Sequence, residues 1–344
     1  MGVINMIDRD SDTPVYLQLA DIIRNKIVSG EIKPGDMLES ETVMTKKYDV
    51  ARLTVREALN ILVNENLIEK HHGKGSFCKN NANRKKIYVL LNISDFYFVP
   101  YYTQSISKIL QDNNADFIAC DTRNSNDEIC TYLEQIADSA PEGVIIQACP
   151  TPIADHTRLI NAFSVLDEKN IPYIIIDYKY DFIDSSYIIP DEYNAGVKAA
   201  QYFKDCGHSN LAAICIENDN VSKLRLDGFC TVSPVKKIIY FKNNLRQEID
   251  NAIEEGITGL FCFNDFIAKE VIDILKEKNL RTPDDISIIS VDDTVIANIY
   301  SLTSVIHPKN KIGEEAAKAI LNNSLPIKKI FKTKISTRNS VKKI

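Results

Sequence analysis

The sequence lacks long hydrophobic runs and cysteine motifs. No window of its 344 residues approaches the roughly 18 consecutive apolar residues of a membrane-spanning helix. The N-terminus has neither the basic start nor the apolar stretch of a signal peptide. The eight cysteines form no Cys-x-x-Cys pair, and none has a histidine at zinc-finger spacing, so we expect reduced core thiols, no metal and no cofactor. These absences predict a cytoplasmic protein without a membrane partner.

Signatures of common catalytic sites are also missing. The sequence contains no Gly-x-x-x-x-Gly-Lys-Ser/Thr loop, no Gly-x-Gly-x-x-Gly after a strand, no Gly-x-Ser-x-Gly and no His-Glu-x-x-His. No pair among its five histidines has metal-ligand spacing on a helix. We therefore expect a binding protein and not an enzyme.

The net charge of −6 hides an uneven distribution of charge. The segment 45–86 carries ten Lys and Arg against four Asp and Glu, which puts this segment at +6 and the rest of the chain at −12. A basic block on an acidic protein is compatible with one module that binds a polyanion. From charge alone, a solvated helical surface is an equally good interpretation.

Residues 14–80 have the outline of a winged helix-turn-helix. Apolar residues recur at helical spacing over 15–28, and a second helix follows Ser40, which is a suitable N-cap. A third helix is predicted from about 54 to 64, with a capping-box pattern at its start. Two short strands then flank the glycine-rich tip 73–75. The pattern predicts three helices and a hairpin.

The third predicted helix and the tip of the hairpin carry the candidate DNA contacts. In a helix-turn-helix, the first residues of the recognition helix face base edges in the major groove, and here these are Arg52, Thr54 and Arg56. Arginine suits bidentate contact with guanine or phosphate. The glycines beside Lys74 permit a close backbone approach to a phosphate or the minor groove. The alternative is a charged surface and a wing that contact nothing.

From residue 87 onward, apolar runs alternate with helical patterns. Runs without polar alternation indicate parallel strands covered on both faces. Their alternation with helices indicates a doubly wound α/β fold, whose ligand site lies at the carboxyl ends of the strands. About 258 residues is too long for one such sheet, so we expect two lobes. The runs are 87–91, 117–120, 143–146, 173–176, 211–216, 259–263 and 286–291.

Polar and aromatic side chains follow several of these runs. Carboxylates, an amide and an arginine beside aromatic rings suit a neutral polyhydroxylated ligand, because each hydroxyl both donates and accepts hydrogen bonds. Taken singly, a strand-end Asp or Asn is more often the N-cap of the next helix. As a set, they predict a pocket. The residues concerned are Asp95, Tyr97, Phe98, Asp177, Asp191, Arg225, Asn264, Asp265, Asp292 and Asp293.

The first part of the chain resembles the N-terminal domain of GntR-type transcription regulators. The shared motifs are Pro14-x-Tyr16-x-Gln18, Gly30-x-Ile32-x-Pro34-Gly35-Asp36, Ser40-Glu41, Arg52-x-Thr54-Val55-Arg56 and Gly73-x-Gly75-x-Phe77. Glu39 and Ala51 stand where the family usually has proline and serine, and loss of the serine hydroxyl predicts a modestly lower operator affinity. The resemblance implies DNA contacts from Ser40, Arg52, Thr54, Arg56, Lys74 and Gly75.

Residues 87–340 resemble the effector domain of LacI/GalR-type repressors, which is related to periplasmic sugar-binding proteins. The shared motifs are Asp191-x-x-x-x-Gly196, Arg225-x-x-Gly228-Phe229, Asn264-Asp265-x-x-Ala268, Asp292-Asp293 and Leu302-Thr303-Ser304-Val305-x-His307-Pro308. A GntR-type domain joined to this domain is similar to regulators of the arabinose-repressor type. The resemblance implies sugar contacts from Asp95, Tyr97, Phe98, Asp191, Arg225, Asn264, Asp292 and His307.

Three departures from that family concern the pocket. Only about 35 residues separate Gly228 from Asn264, so we expect a trimmed helix and strand. Ser290-Val291 replaces the usual Gly-aromatic pair, and glycine is sparse, with 12 in the chain. Arabinose is therefore the leading ligand, and a sugar phosphate or another metabolite is the alternative. For a phosphate, Lys179 is the one cation that the sequence places near the pocket mouth.

The predicted architecture is a winged helix-turn-helix DNA-binding domain over 1–80, a linker over 81–86 and a two-lobed α/β periplasmic-binding-protein-like domain with parallel sheets over 87–344. Predicted partners are double-stranded operator DNA, a small-molecule sugar and a second copy of the chain. Sugar would close the lobes about hinges near Pro190 and 303–306 and so release a repressor from its operator. A sugar-transport binding protein is the rival interpretation of the second part alone, and the first 80 residues argue against it.

Overall fold

The chain divides into two units, with the boundary between Arg84 and Lys85, and each unit has a hydrophobic core of its own. The computed structural model describes residues 7–9, 13–65, 67–71, 73–79, 84–95, 97–242 and 244–344. Within these ranges, no helix has the length and apolar character needed to cross a membrane.

The first unit is the predicted set of three helices and a hairpin. Leu19, Leu59 and Leu62 are buried in its core because they recur at helical spacing on the inner faces of the first and third helices. The two strands pair antiparallel. The elements are α1 (Val15–Val28), α2 (Glu41–Tyr48), α3 (Arg52–Asn64), β1 (Ile68–His71) and β2 (Gly75–Cys78).

The start of α3 differs from the prediction. The helix begins at Arg52 and its N-cap is Ala51, which is extended and has no side chain that can accept a bond from the first turn. The main-chain carbonyl of Ala51 already accepts from the Val55 amide at 3.2 Å. The capping box predicted at Thr54 is therefore wrong, because Thr54 lies inside the first helical turn.

The predicted linker 81–86 is shorter in the structure. Residues 81–83 lie outside the described ranges. Lys85 and Lys86 belong to the strand β3 (Lys85–Leu91), where their backbones pair with Ala115 and Asp116. A polar side chain at the start of a strand does not prevent backbone pairing, and for this reason composition misplaced these two lysines.

The first lobe of the second unit is a six-stranded sheet in the order β13-β7-β6-β5-β3-β4 with parallel pairing throughout the described residues. Helices cover both of its faces, as the continuous apolar runs predicted. Its further elements are α4 (Val99–Asp112), β4 (Ala115–Asp121), α5 (Asn126–Ile136), β5 (Gly143–Gln147), α6 (Thr157–Glu168), β6 (Tyr173–Ile176), β7 (Tyr187–Pro190), α12 (Lys309–Leu321) and β13 (Lys328–Phe331).

The second lobe is a six-stranded sheet in the order β14-β12-β11-β10-β8-β9, in which the described strands pair in parallel except for β14. The helix and strand that we expected to be trimmed are both present and short. Its elements are α7 (Glu192–Asp205), β8 (Leu211–Cys215), α8 (Asn220–Val232), β9 (Lys237–Tyr240), α9 (Leu245–Glu254), β10 (Gly259–Cys262), α10 (Asp265–Glu277), β11 (Ser287–Asp292), α11 (Val295–Ile299), β12 (Thr303–Ile306) and β14 (Lys334–Ser336).

Three connections join the two lobes in the described part of this unit. The chain leaves the first lobe after Pro190, returns after Ile306 and crosses again between Phe331 and Lys334. The sequence placed hinges at the first two of these positions and missed the third. Of the eight cysteines, six are buried as expected, whereas Cys206 is half-buried and Cys230 is exposed.

Candidate effector pocket and DNA-contacting surface

A cavity lies where the carboxyl ends of the strands of the two lobes face each other, and it encloses about 730 Å³, part of it open to solvent. Parallel sheets place their ligands at this end of the strands. Six of the eight predicted effector contacts line it, and we call this cavity the effector pocket. These six are Asp95, Tyr97, Phe98, Arg225, Asn264 and Asp292.

Two glycines bring the central ion pair of the effector pocket together. A Cβ on Gly196 of α7 would lie 1.9 Å from the Arg225 carbonyl oxygen, and one on Gly228 of α8 would lie 1.9 Å from the Tyr193 carbonyl oxygen. Only glycine permits this approach of the two helices. The contact places Glu192 of α7 beside Arg225 of α8, which explains the spacing of two of the sequence motifs.

Arg225 is buried, and its guanidinium donates three hydrogen bonds within the protein. Its Nε and Nη2 donate to the two Glu192 oxygens at 2.6 and 3.0 Å, and its Nη1 donates to the Phe263 carbonyl oxygen at 2.7 Å. The guanidinium lies 4.5 Å above the Phe263 ring. Burial alone would lower the pKa of Arg225, but Glu192 and Asp292 outweigh it and raise this pKa. The pocket therefore presents a fixed cation that stays charged.

Asp292 ends β11 at the centre of the pocket. Its Oδ2 accepts from the Tyr97 hydroxyl at 3.2 Å, its Oδ1 lies 3.6 Å from Arg225, and its carbonyl oxygen accepts from the buried ammonium of Lys309. Burial raises the pKa of the Asp292 carboxyl and lowers that of Lys309. The backbone of Asp292 has φ 109°, a conformation that a residue with a side chain holds only where its surroundings enforce it.

Asp265 is buried beneath the pocket and does not line it. Its carboxylate accepts from Ser290 at 2.5 Å and from Ser304 at 2.7 Å, and also from the Thr294 amide at 2.7 Å. These bonds tie together the ends of β11 and β12 and the turn after Asp292. Ser290, the departure from the family pattern, supplies one of them.

Asp177 lines the pocket, and His307 lies behind it. His307 Nε2 and the Tyr102 hydroxyl each lie 3.0 Å from Asp177 Oδ1, and the Gln147 amide donates to Oδ2 at 2.9 Å. Burial would raise the pKa of Asp177, but these three bonds lower it. His307 packs edge-on against Phe98 at 4.8 Å. His307 thus orients two lining residues and is not itself a lining residue, contrary to the prediction.

Asp191, another predicted effector contact, does not line the pocket either. Its carboxylate caps α7 by accepting from the Asn194 amide at 3.0 Å, and the next residue, Glu192, lines the pocket instead. This is the capping role that a single strand-end Asp most often has. Apart from Asp177, which the strand-end pattern had singled out, five polar lining residues were not among the predicted contacts: Asn92, Asn124, Gln147, Glu192 and Asp219. Asn92 and Gln147 stand at the ends of β3 and β5, so the strand-end rule applied to every strand would have found them.

The described lining residues of the pocket include more acidic than basic side chains. They include five carboxylates and one guanidinium, Arg225. Lys179, the predicted cation at the mouth, is not a lining residue, because it pairs with Asp181 and lies over the Tyr187 ring. Burial is the largest influence on Asp95 and Asp219 and raises the pKa of both. The carboxylates are Asp95, Asp177, Glu192, Asp219 and Asp292.

The first unit brings five of its six predicted DNA contacts to one groove, between α2, the start of α3 and the hairpin. The five are Ser40, Arg52, Arg56, Lys74 and Gly75. Thr54 is half-buried and does not line this groove. Gly73 and Gly75 have φ of 73° and 112°, so the hairpin tip requires glycine as predicted. We call this groove the DNA-contacting surface.

Glu41, which the sequence did not single out as a contact, organises this surface. Its two oxygens lie 3.0 Å from Arg52 Nε and 3.4 Å from Arg56 Nε. The arginine side chains remain 69% and 61% exposed, so their outer nitrogens are free to meet a ligand. Ser40 is the N-cap of α2 and accepts from the Val43 amide at 3.3 Å. One carboxylate thereby holds both arginines on the same face.

Comparison with known protein families assigns the two units of the chain to different families. Residues 15–78 match the family of bacterial regulatory proteins called gntR, and residues 200–341 match the periplasmic binding protein-like domain. The chain joins a GntR-type helix-turn-helix domain to a periplasmic-binding-protein-like domain. Both resemblances inferred from the sequence are thereby confirmed.

Two relatives align with most of the chain. The arabinose metabolism transcriptional repressor of Halalkalibacterium halodurans is 26% identical over 326 residues, which cover 87% of this chain and 86% of that protein. Its counterpart in Geobacillus stearothermophilus is 25% identical over 365 residues, covering 98% and 100%. A LacI family regulator from Enterococcus faecium, solved with bound ribose, superposes with a TM-score of 0.64 at 22% identity, over 76% of this chain and all of that one. The last likeness establishes the fold of the periplasmic-binding-protein-like domain.

Proposed function

We propose that this protein is a cytoplasmic, homodimeric transcription repressor that a free sugar releases from operator DNA. In this proposal residues 1–80 bind DNA through Arg52, Arg56, the wing residue Lys74 and their neighbours, and residues 87–344 bind the sugar. The names of the similar arabinose repressors support the regulatory role and favour a pentose as the effector.

The acidic lining of the effector pocket is the observation on which the proposed ligand rests. The lining has five acidic side chains and a single, already paired guanidinium, so it offers little positive charge to a phosphate group, whereas carboxyl oxygens accept hydrogen bonds from neutral hydroxyls. Arg225 can donate to a ring or hydroxyl oxygen, and the rings of Phe98 and Phe263 line the pocket, where they can pack against the apolar side of a sugar. This lining argues against a sugar phosphate as the effector and supports a neutral sugar such as arabinose.

Contacts between the lobes supply the switch in this proposal. The Tyr97 hydroxyl of the first lobe bonds Asp292 of the second, and the Asn220 amide of the second lobe donates to the Pro150 carbonyl oxygen of the first at 2.9 Å. A sugar held by both lobes favours the closed arrangement by its difference in affinity for the closed and open forms. In a twofold dimer, closure alters the spacing of the two recognition helices and thereby the fit to two operator half-sites.

The ligand is tested by thermal unfolding of the purified protein against pentoses, hexoses and their phosphates. A sugar at 100 times its dissociation constant stabilises by about 2.7 kcal/mol, which corresponds to a shift of about 5–10 °C for a domain of this size. We expect a shift with one free sugar, arabinose first, and none with its phosphate. An Asp292→Asn variant should lose the shift while folding normally. A shift with phosphates alone would overturn the proposal.

The proposed binding to operator DNA is tested by letting the protein select its binding site from a pool of random DNA duplexes. We expect a near-palindromic site with two half-sites, because twofold protein symmetry imposes twofold site symmetry. The sugar that shifts the melting temperature should weaken binding to that site in a gel-shift titration. Tighter binding in the presence of sugar would reverse the assigned direction of control.

A further inference from the structure

A second cavity of about 730 Å³, partly open to solvent, lies next to the effector pocket and has a different chemistry. Four of its ten described lining residues carry aromatic rings, and Lys and Arg are absent from this lining. The rings belong to His156, Tyr178, Tyr180 and Phe182. We call it the aromatic cavity.

Four stretches of chain contribute to both cavities. In each stretch one residue lines the effector pocket and the next residue lines the aromatic cavity. This alternation means that the two cavities are neighbours along their whole common edge and share the same walls. The four pairs are Ala148 and Cys149, Pro150 and Thr151, Asp177 and Tyr178, and Asp219 and Asn220.

The aromatic wall is held in place by its own contacts. The His156 and Phe182 rings stack at 3.8 Å with an interplanar angle of 9°. The buried Tyr180 hydroxyl accepts from the Cys149 amide at 3.0 Å and donates to Asn126 at 2.6 Å. Tyr178 and Phe182 remain half-buried, so parts of their rings face the open space. A fixed ring face with polar groups at its edge suits the apolar face of a sugar ring.

One hydrogen bond joins a residue that lines the effector pocket to a residue that lines the aromatic cavity. The Asn220 amide donates to the Pro150 carbonyl oxygen at 2.9 Å, and this bond joins the lobes on the common edge. Because Pro150 and Asn220 are only half-buried, polar groups at this edge remain open to the glycosidic and hydroxyl oxygens of two linked sugar rings.

We propose that the aromatic cavity binds a second sugar ring linked to the one in the effector pocket, so that the effector class extends to short neutral oligosaccharides. The second ring lies against Tyr178 and Phe182, and its hydroxyls bond to Asn220 and Thr151 at the rim. The proposal rests on the sugar-binding function of the effector pocket, and it adds a binding site that the pocket does not require.

The test is isothermal titration with matched pairs of monosaccharide and disaccharide: arabinose and arabinobiose, xylose and xylobiose, glucose and cellobiose. We expect one disaccharide to bind about tenfold or more tightly than its monosaccharide, a gain of about 1.4 kcal/mol. Tyr178→Ala should remove most of this gain and leave the monosaccharide affinity unchanged. Tyr178→Phe, which keeps the ring, should preserve it.

Two further variants separate binding from folding. Thr151→Trp fills the open side of the aromatic cavity without removing any buried contact, and it should abolish the advantage of the disaccharide even if Tyr178→Ala fails to fold. Tyr240→Ala, at an exposed tyrosine of β9 that lines neither cavity, should leave both affinities unchanged. A monosaccharide that binds while no disaccharide binds more tightly would overturn the second site alone. The absence of any sugar binding would overturn the proposed function itself.

Discussion

The two units use the same pair of chemical groups in opposite surroundings. On the DNA-contacting surface, Glu41 meets Arg52 and Arg56 in the open, with both arginine side chains more than half exposed. In the effector pocket, Glu192 meets Arg225 with both side chains about 5% exposed. Water screens the first arrangement, so its bonds are weak and a phosphate can replace the carboxylate. The second arrangement has no such exchange and holds its geometry for the ligand. Burial, more than residue type, therefore decides whether an arginine is free to bind a polyanion or is fixed as part of a site.

The largest effect should follow from removing the buried cation. Arg225→Met leaves Glu192 and Asp292 buried without their partner, and breaking a buried pair in this way costs about 3–5 kcal/mol. We expect urea unfolding to show a loss of this size in the second unit, together with loss of sugar binding. The control is Lys223→Met on the same helix, where the ion pair with Asp227 is exposed and the change should be small. Equal losses in the two variants would contradict the comparison.

A double variant sharpens this result. Glu192→Gln in the Arg225→Met background removes one of the two stranded carboxylates, so part of the lost stability should return. Sugar binding should not return, because the donor to the ligand is still missing. A double variant less stable than Arg225→Met alone would mean that packing, and not the unpaired charge, caused the loss.

Removal of an exposed arginine should act on DNA and not on stability. Arg56→Ala is expected to cost about 1–3 kcal/mol of operator binding, while sugar binding and the unfolding curve change little. Gel-shift titration at several salt concentrations measures the cost. The matched control is Arg246→Ala, an exposed arginine paired with Glu277 in the second unit, which should bind the operator normally. Unchanged operator affinity for Arg56→Ala would remove this residue from the recognition helix.

Sequence patterns predicted those site residues whose place depends only on their position along a strand or helix. Asp95, Asn264 and Asp292 follow parallel strands, and the carboxyl ends of such strands meet at one edge, so a strand-end pattern is enough to place them together. The same holds for the three helices and the hairpin of the first unit. The glycines of the hairpin tip were predictable because their positive φ is a property of the local chain.

The residues that the sequence missed depend on contacts between separate elements. Glu192 reaches Arg225 only because α7 and α8 touch at two glycines, and no pattern within either helix shows which carboxylate will face the arginine. Asp191 was the natural choice on local grounds, and it caps its helix instead. His307 has the right position in the chain but is separated from the ligand space by Phe98 and Asp177. Packing between elements selected the site residues in all three cases.

The smallest effect should come from the carboxylate that joins the exposed arginines. Glu41→Gln removes a screened charge pair, so the stability of the first unit should change by less than about 1 kcal/mol. DNA binding should change in two directions. Loss of a negative charge beside the phosphates strengthens binding to any sequence, and loss of the bridge lets Arg52 and Arg56 move independently, which weakens their contact with particular bases. The ratio of operator to random-DNA affinity should therefore fall while random-DNA affinity rises, as competition titrations at two salt concentrations would show.

Glu39→Gln, which removes a neighbouring carboxylate paired with Lys47 and leaves both arginines in place, is the control and should raise both affinities together. If Glu41→Gln also raised both in proportion, Glu41 would be a source of charge alone and the bridge would have no part in recognition.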